Sequence, residues 1–429
     1  MNIRIKGGAK LTGEITPSGL KNSIVALIPA SILFSEPITL TNVPEITDVE
    51  RLVTLLTQLG SVITWDKTTC TMVIDNKNLK YDGLEMKGLN QSKGIKGTSL
   101  LWGPMLARFG KTEIDELPGG CTLGNRPLDA HYQAFMDLGV IVNENNGGVT
   151  LNAKDAKASQ LELLETSPTA TENVIMLATR ISGTTVIRNA ACEPNVSDLC
   201  NFLNQAGAKI SGIGSNIITV VGVQSLKGIS YRVISDHYEI GTFLALGALT
   251  GGEIRVKNAV PQYFTTINRE FLKFGIRIEY EGDTAVVKSG QQIKISKTRG
   301  PMIVRAQPWP ALPVDMLPLY IPLAIASPAG QALFHNWMYE AGLFWTSELS
   351  KLGANIIMCD PHRVLVTGGN KIKGATLEAP YIIRAAISMV MMGLIAEGET
   401  IILNADAIHR GHPNFVANLK KLGADIEEV

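Results

Sequence analysis

The 429-residue sequence has no excess of charge of either sign: 39 Lys and Arg are matched by 39 Asp and Glu, and charged residues make up 18% of the chain. That balance excludes a whole-molecule field attracting nucleic acid or a membrane surface, so an anionic ligand has to be captured by local arginines and lysines. Long apolar runs are missing too. The longest, residues 24–34 and 386–396, are too short to span a bilayer and read as buried helices. Cysteine is scarce. Cys70, Cys121, Cys192, Cys200 and Cys359 are odd in number and form no CxxC pair, which favours a reduced, cytoplasmic protein over a disulfide framework. The six histidines show no ligand spacing; His409 and His412 are close, but no Cys or carboxylate joins them, so no metal is expected. Walker A, G-x-S-x-G and dinucleotide fingerprints are absent, so no cofactor is expected either. The start of the chain, Met1 to Lys6, alternates apolar and basic residues and reads as a strand rather than a secretory or transit peptide.

What the chain does have is a repeat. A helix-period segment, a small corner and a short strand recur at Leu59-Gly60, Leu138-Gly139, Ala206-Gly207, Phe274-Gly275, Leu352-Gly353 and Leu422-Gly423. Each glycine falls where a helix end needs a left-handed residue, a conformation that a Cβ disfavours. Before most of these helices lies another strand, as in Thr185 to Ala190 and Thr400 to Ala405. The spacing of about 70 to 80 residues is that of a supersecondary α/β unit. The length calls for two domains, hence three units each. Turn-rich crossings near Thr16 to Leu20 and Val233 to His237 predict one domain of residues 1–19 with 236–429, and a second of residues 20–235.

Several segments could carry chemistry. Residues 117–129 hold three glycines and two prolines around Cys121, with Arg126 five residues on. Either this is an ordinary loop with an incidental thiol, or Arg126 makes that thiol acidic. Lys21 stands at the start of an apolar helix, where a cation opposes the helix dipole unless an anion joins it; the alternative is a solvated lysine. Asp315 lies among Leu312, Pro313, Val314, Met316 and Leu317 and reads as a desolvated base or as a helix N-cap. Arg384 opens another apolar helix and Arg410 follows a strand and turn; each is either a structural ion pair or an anion contact.

In chain order, Lys21-Asn22, the Pro-Gly-Gly-Cys-x-x-Gly-x-Arg-Pro loop, Ala170-Thr171-Glu172-Asn173, Asp315, Arg384 and His409-Arg410-Gly411 resemble the UDP-N-acetylglucosamine enolpyruvyl transferase family. The similarity runs end to end and includes Trp102-Gly103-Pro104 and Leu394 to Gly398. It implies an α/β fold of two inside-out barrel domains, each of three βαβαββ-like units. It implies phosphoenolpyruvate and a nucleotide-linked acceptor as partners, with no nucleic acid or membrane. Lys21, Lys96, Arg126, Arg384 and Arg410 would bind the phosphate and carboxylate of phosphoenolpyruvate. Cys121 would protonate the enolpyruvyl carbon, and is the position that fosfomycin alkylates in the family. Asp315 would take the acceptor proton. Asn22, Arg126, Pro127, Leu128, Asp129, Ser167, Pro168, Thr169, Thr171 and Trp337 would surround the acceptor.

The departures from the family pattern lie mostly on the acceptor side. Lys96, His237 and Trp337 stand where arginines are usual, Ile382 where an acid is usual, and Thr169 where a glycine is usual. Thr166 and Glu165 occupy a stretch that usually holds a basic residue. Beside the family acceptor these changes leave open a paralogue acting on another nucleotide or nucleoside hydroxyl, such as UMP, and a non-catalytic ligand-binding homologue.

Overall fold

The computed structural model describes residues 1–81, 96–114, 128–145, 148–296 and 299–429. The chain forms two compact units. In the described residues, one comprises Met1–Ser18 with Ser235–Val429, and the other lies between Gly19 and Ile234.

Among the described residues there are six sheets, five of four strands and one of three. One shows the common plan. Met302–Arg305 runs parallel to Gln331–His335, which is antiparallel to Arg363–Thr367, which in turn is antiparallel to Asn355–Asp360. The chain order is strand, buried helix Leu317–Ala326, strand, outer helix Thr346–Leu349, glycine corner, strand and hairpin return. This is the βαβαββ-like unit that the family resemblance implies, built on the helix, glycine corner and strand of the repeat. All six corner glycines are left-handed, with φ of 96° at Gly60, 83° at Gly139, 105° at Gly207, 75° at Gly275, 93° at Gly353 and 102° at Gly423.

Each of the two compact units is closed by strands from far along the chain. Ile3–Lys6 takes the hairpin-return place in the last sheet, antiparallel to both Glu399–Leu403 and Asp425–Glu428. Its alternation decides which face it buries: Ile3 and Ile5 are buried while Arg4 and Lys6 are exposed. Gly13–Ile15 pairs in parallel with Ile254–Val256 in the same unit. In the other unit Ser230–Arg232 pairs in parallel with Ile38–Thr41.

The inner helices are apolar nearly all round. A helix without a polar face has to be enclosed. Ser23 to Ala30 of Lys21–Ala30, His237 to Leu249 of His237–Thr250 and Arg384 to Leu394 of Ile383–Ile395 are buried without a gap. The strands alternate buried and solvated residues, so the sheets form the outer wall. Helices inside and sheets outside is the inside-out arrangement. In the C-terminal unit the helices His237–Thr250, Leu317–Ala326 and Ile383–Ile395 pack pairwise on one another.

Candidate active site

Several of the residues selected from the sequence mark the starts of the inner helices. Lys21 and Asn22 open the first inner helix, Lys96 opens the 3-10 turn Lys96–Leu101 that leads into the second, and Ser167 caps the third. His237 opens the fourth, Asp315 sits in the 3-10 turn Val314–Met316 running into the fifth, and Arg384 is in the first turn of the sixth. Unsatisfied N–H groups and the positive dipole end make helix N-termini natural anion sites. Cys121, Arg126 and Pro127 lie outside the described residues.

In the N-terminal unit, Lys21 Nζ lies 3.0 Å from Asp48 Oδ2, and Asp48 is buried in the first turn of Thr47–Gln58. The lysine is therefore half-buried and ion-paired rather than a solvated surface group, with an internal carboxylate meeting it at the helix start. Asn22 is half-buried beside it. Ser167 has Pro168 after it, the favoured first helical residue, and its Oγ accepts from Ala170 N at 3.4 Å. The Thr169 hydroxyl meets His131 Nε2 at 3.1 Å, and His131 Nδ1 meets Asn173 Nδ2 at 3.1 Å. Thr171 is fully buried; its hydroxyl donates to Ser167 O at 2.8 Å and accepts from Ala191 N at 3.0 Å. In this conformation Thr171 supports the helix end from within and presents nothing to a ligand. Leu128 is half-buried and Asp129 exposed, at the start of Asp129–Asp137. Glu165 is exposed on the approach to Ser167.

Behind this end, Glu172 is wholly buried and accepts from Asn195 Nδ2 at 2.8 Å. Burial pushes its pKa up to about 8; Glu193 adds to the rise and the Asn195 bond opposes it. The folded state therefore holds a proton that the unfolded chain releases near pH 4.5. Its stabilising effect is full below that pH and is lost as pH rises through about 8. Between those limits this group lowers stability by about 1.4 kcal/mol per pH unit. Glu172→Gln, which mimics the protonated acid, should flatten the pH dependence of denaturant unfolding and raise stability at pH 8 relative to the parent. A variant as pH-dependent as the parent would show that Glu172 does not set the slope.

In the C-terminal unit three helix starts meet. The Arg384 guanidinium lies 5.1 Å from the Tyr238 ring centroid, and one turn along a Cβ at Gly241 would run into the Met316 side chain. Asp236 caps the first of these helices, accepting from Tyr238 N at 2.8 Å and Glu239 N at 3.1 Å. His237 is wholly buried, and neither ring nitrogen has a hydrogen-bond partner among the described residues. Burial, helped by Arg384, pushes its pKa down to about 3, so the residue standing for the family's arginine adds no cation here. Glu239 accepts from Ser18 N at 3.0 Å, and burial pushes its pKa up to about 7. Arg384 is 6% exposed and forms no salt bridge among the described residues; its Nη1 donates to His412 Nε2. Arg410 is buried, 5.0 Å from the Tyr381 ring centroid.

Asp315 is half-buried and makes no capping bond, so the N-cap alternative is not realised. Trp337 is half exposed, and its indole N–H donates to Ala306 O at 2.9 Å. Ile382 caps the sixth inner helix with backbone alone. Sequence reasoning missed Asp48, His131, Tyr238 and the link from His412 to Arg384. The His409 and His412 pair was weighed only as a metal site, and among the described residues no group of His, Cys, Asp and Glu could hold a metal ion. Nor is any helix among them long and apolar enough to cross a membrane.

The chain is thus a mixed α/β fold of repeated units with the cationic side chains of Lys21 and Arg384 at the starts of buried helices. The family model of EPSP synthase (3-phosphoshikimate 1-carboxyvinyltransferase) matches residues 5–426. UDP-N-acetylglucosamine 1-carboxyvinyltransferases from Borrelia garinii subsp. bavariensis and Bacteroides thetaiotaomicron are each 38% identical, covering 99% of this chain and 98% and 99% of theirs. The enolpyruvyl transferase NikO from Streptomyces tendae superposes with a TM-score of 0.87 at 21% identity, covering 99% of this chain and 98% of its own. EPSP synthase from Acinetobacter baumannii superposes with a TM-score of 0.73 at 18% identity, covering 99% of both chains. The chain belongs to the enolpyruvyl (1-carboxyvinyl) transferase family.

Proposed function

We propose that this chain transfers the enolpyruvyl group of phosphoenolpyruvate to the 3-hydroxyl of UDP-N-acetylglucosamine with release of phosphate, the first step of peptidoglycan precursor synthesis in the cytoplasm. The observation that carries this reading is the seating of Lys21, Asp315 and Arg384 at starts of inner helices, in a chain alike over its whole length to transferases of that name. In the reaction the acceptor oxygen bonds to C2 of phosphoenolpyruvate while C3 takes a proton. The resulting ketal expels phosphate from C2 as C3 gives a proton back, restoring the double bond.

Such a path needs a base, an acid and a cationic setting for the leaving phosphate. Asp315 is the base for the hydroxyl proton and Cys121 the acid at C3. Lys21, Lys96, Arg126, Arg384 and Arg410 bind the anionic groups. Asn22, the segment Arg126 to Asp129, Ser167 to Thr169, Thr171 and Trp337 serve the acceptor, with Thr171 acting through the helix end it supports. No metal or cofactor has a role in these steps.

A second reading rests on the acceptor side, where the Thr169 hydroxyl, in place of the family's glycine, is engaged by His131, and Trp337, in place of an arginine, gives its indole N–H to Ala306 and supplies no charge. It makes the acceptor a different nucleotide or nucleoside hydroxyl. Phosphate release from phosphoenolpyruvate, measured with UDP-N-acetylglucosamine, UMP, uridine and other UDP-sugars, decides between them. Turnover with the first alone is expected. Turnover with UMP or uridine and none with the sugar nucleotide would establish the second reading, and no release with any acceptor would reject both.

A further inference from the structure

The C-terminal unit buries a cation that forms no salt bridge among the described residues. Arg384 is 6% exposed and has no carboxylate partner among the described residues. Its neighbours are the Tyr238 ring, the imidazoles of His237 and His412, and the Glu239 carboxyl. Burial first, and Arg384 second, hold both imidazoles neutral, with His412 well below its ordinary pKa. Burial also raises Glu239, with Asp236 adding to the rise, which weakens the negative charge that Glu239 offers Arg384. A buried and uncompensated guanidinium costs several kcal/mol, and an anionic ligand offsets that cost.

His412 is the group that fixes where this guanidinium points. Its Nε2 accepts from Arg384 Nη1, so the ring proton sits on Nδ1, which has no partner among the described residues. The ring is fully buried, edge-on to Phe415 at 5.3 Å, and cannot swing away without opening the core. The backbone of His412 ties back as well, its N–H donating to Ile408 O at 2.9 Å. That ties down the end of the 3-10 segment Ala405–Arg410, whose last residue is Arg410 and which packs on the Ile383–Ile395 helix. One residue therefore holds the Arg384 side chain and anchors the turn that bears Arg410.

We propose that His412 is a positioning residue for cosubstrate binding, its unprotonated Nε2 setting Arg384 beside Arg410 so that both guanidiniums meet the anionic groups of phosphoenolpyruvate. This deepens the proposed function and rests on it for the identity of the anion. The hydrogen bond is made to a charged donor, so its loss is felt as affinity, whereas His412 itself touches no reacting atom.

The test compares His412→Leu, which keeps bulk and removes the acceptor, with His412→Gln, whose carboxamide oxygen reaches the place of Nε2. Both are measured for phosphoenolpyruvate and inorganic phosphate binding by calorimetry and for kcat and KM by phosphate release. The expected result is a roughly ten- to hundredfold weaker affinity and higher KM in His412→Leu, with kcat at saturation within about threefold and most of the affinity restored in His412→Gln. Nitrogen-15 NMR of the parent should show the His412 proton on Nδ1. Equal affinity in the leucine variant, glutamine as weak as leucine, or a proton on Nε2 would each overturn the assignment. Should the leucine variant fail to fold, the near-parental affinity of His412→Gln and the NMR tautomer decide. Phosphate binding that weakens in His412→Leu, in a protein showing no turnover with any acceptor, would uphold the positioning role and reject the proposed function. A parent that binds neither phosphate nor phosphoenolpyruvate would overturn the assignment.

Discussion

Asp315→Ala should turn over roughly 10²–10⁴-fold more slowly than the parent at saturating substrates, with KM for either substrate changed by no more than about threefold. The asymmetry follows from what a general base does: it takes up its proton as the acceptor oxygen attacks, so its effect is concentrated in the transition state. The structure makes the experiment clean. Asp315 is half-buried in a 3-10 turn, caps no helix, and has no hydrogen bond or ion pair among the described residues, so truncation leaves the turn without a lost internal partner. Met316 beside it is buried, and the Leu317–Ala326 helix that follows is embedded from Leu317 to Ile325. That packing should hold the thermal midpoint of the variant near the parent's. Asp315→Asn keeps the shape without the basicity and should be nearly as slow as the alanine variant. Steady-state phosphate release over both substrates reads the split. Equal losses in binding and turnover would make Asp315 a positioning group, and an active asparagine variant would move the base elsewhere.

The repeat could be read from the sequence because its signals are local. A glycine after a helix-period run needs only its own left-handed φ, as at Gly207 and Gly353, and an apolar run such as residues 24–33 announces enclosure whatever encloses it. The closing strands carried no such signal. Ile3–Lys6 reads as a strand, but nothing within it says that its partners lie some four hundred residues on, at Glu399–Leu403 and Asp425–Glu428. The same limit divides the candidate site. Lys21, Asp315 and Arg384 were found because each is an odd residue in its own segment: a lysine or arginine opening an apolar helix, or an aspartate in an apolar turn. Asn22, Lys96, Ser167 and Trp337 came from the family resemblance alone. The partners of the odd residues were not found, because Asp48 for Lys21 and His412 for Arg384 are ordinary residues until the fold brings them close. Asp315 shows the converse, since a local reading left base and N-cap open and only the observed turn removes the cap.

Treatment with the epoxide phosphonate fosfomycin should label Cys121 and leave the other four cysteines unmodified. Cys121 lies outside the described residues, and the expectation for it comes from its glycine-rich setting beside Arg126, which favours thiolate, and from the family resemblance. The other thiols are described, and three are chemically quiet. Burial, with Glu172 nearby, pushes Cys200 up to about 12, leaving roughly one molecule in 10⁵ as thiolate at pH 7. Burial followed by Glu45 and Asp66 raises Cys70, and burial followed by Glu193 raises Cys192. Cys359 is the informative control: it is exposed, so accessibility alone would label it. Selectivity for Cys121 over Cys359 would therefore report recognition of the phosphonate by Lys21, Arg126 and Arg410 rather than mere access. Two variants separate those contributions. Arg410→Ala should slow labelling at Cys121 without raising it at Cys359. Cys121→Asp should abolish labelling yet retain some turnover, because a carboxylic acid can donate a proton to C3 but does not readily open the epoxide. Intact-mass and peptide mass spectrometry, with and without each candidate acceptor, reads the outcome. Modification spread over Cys121 and Cys359 alike would refute a specially activated thiol, and complete resistance with every acceptor bound would count against Cys121 as the acid at C3.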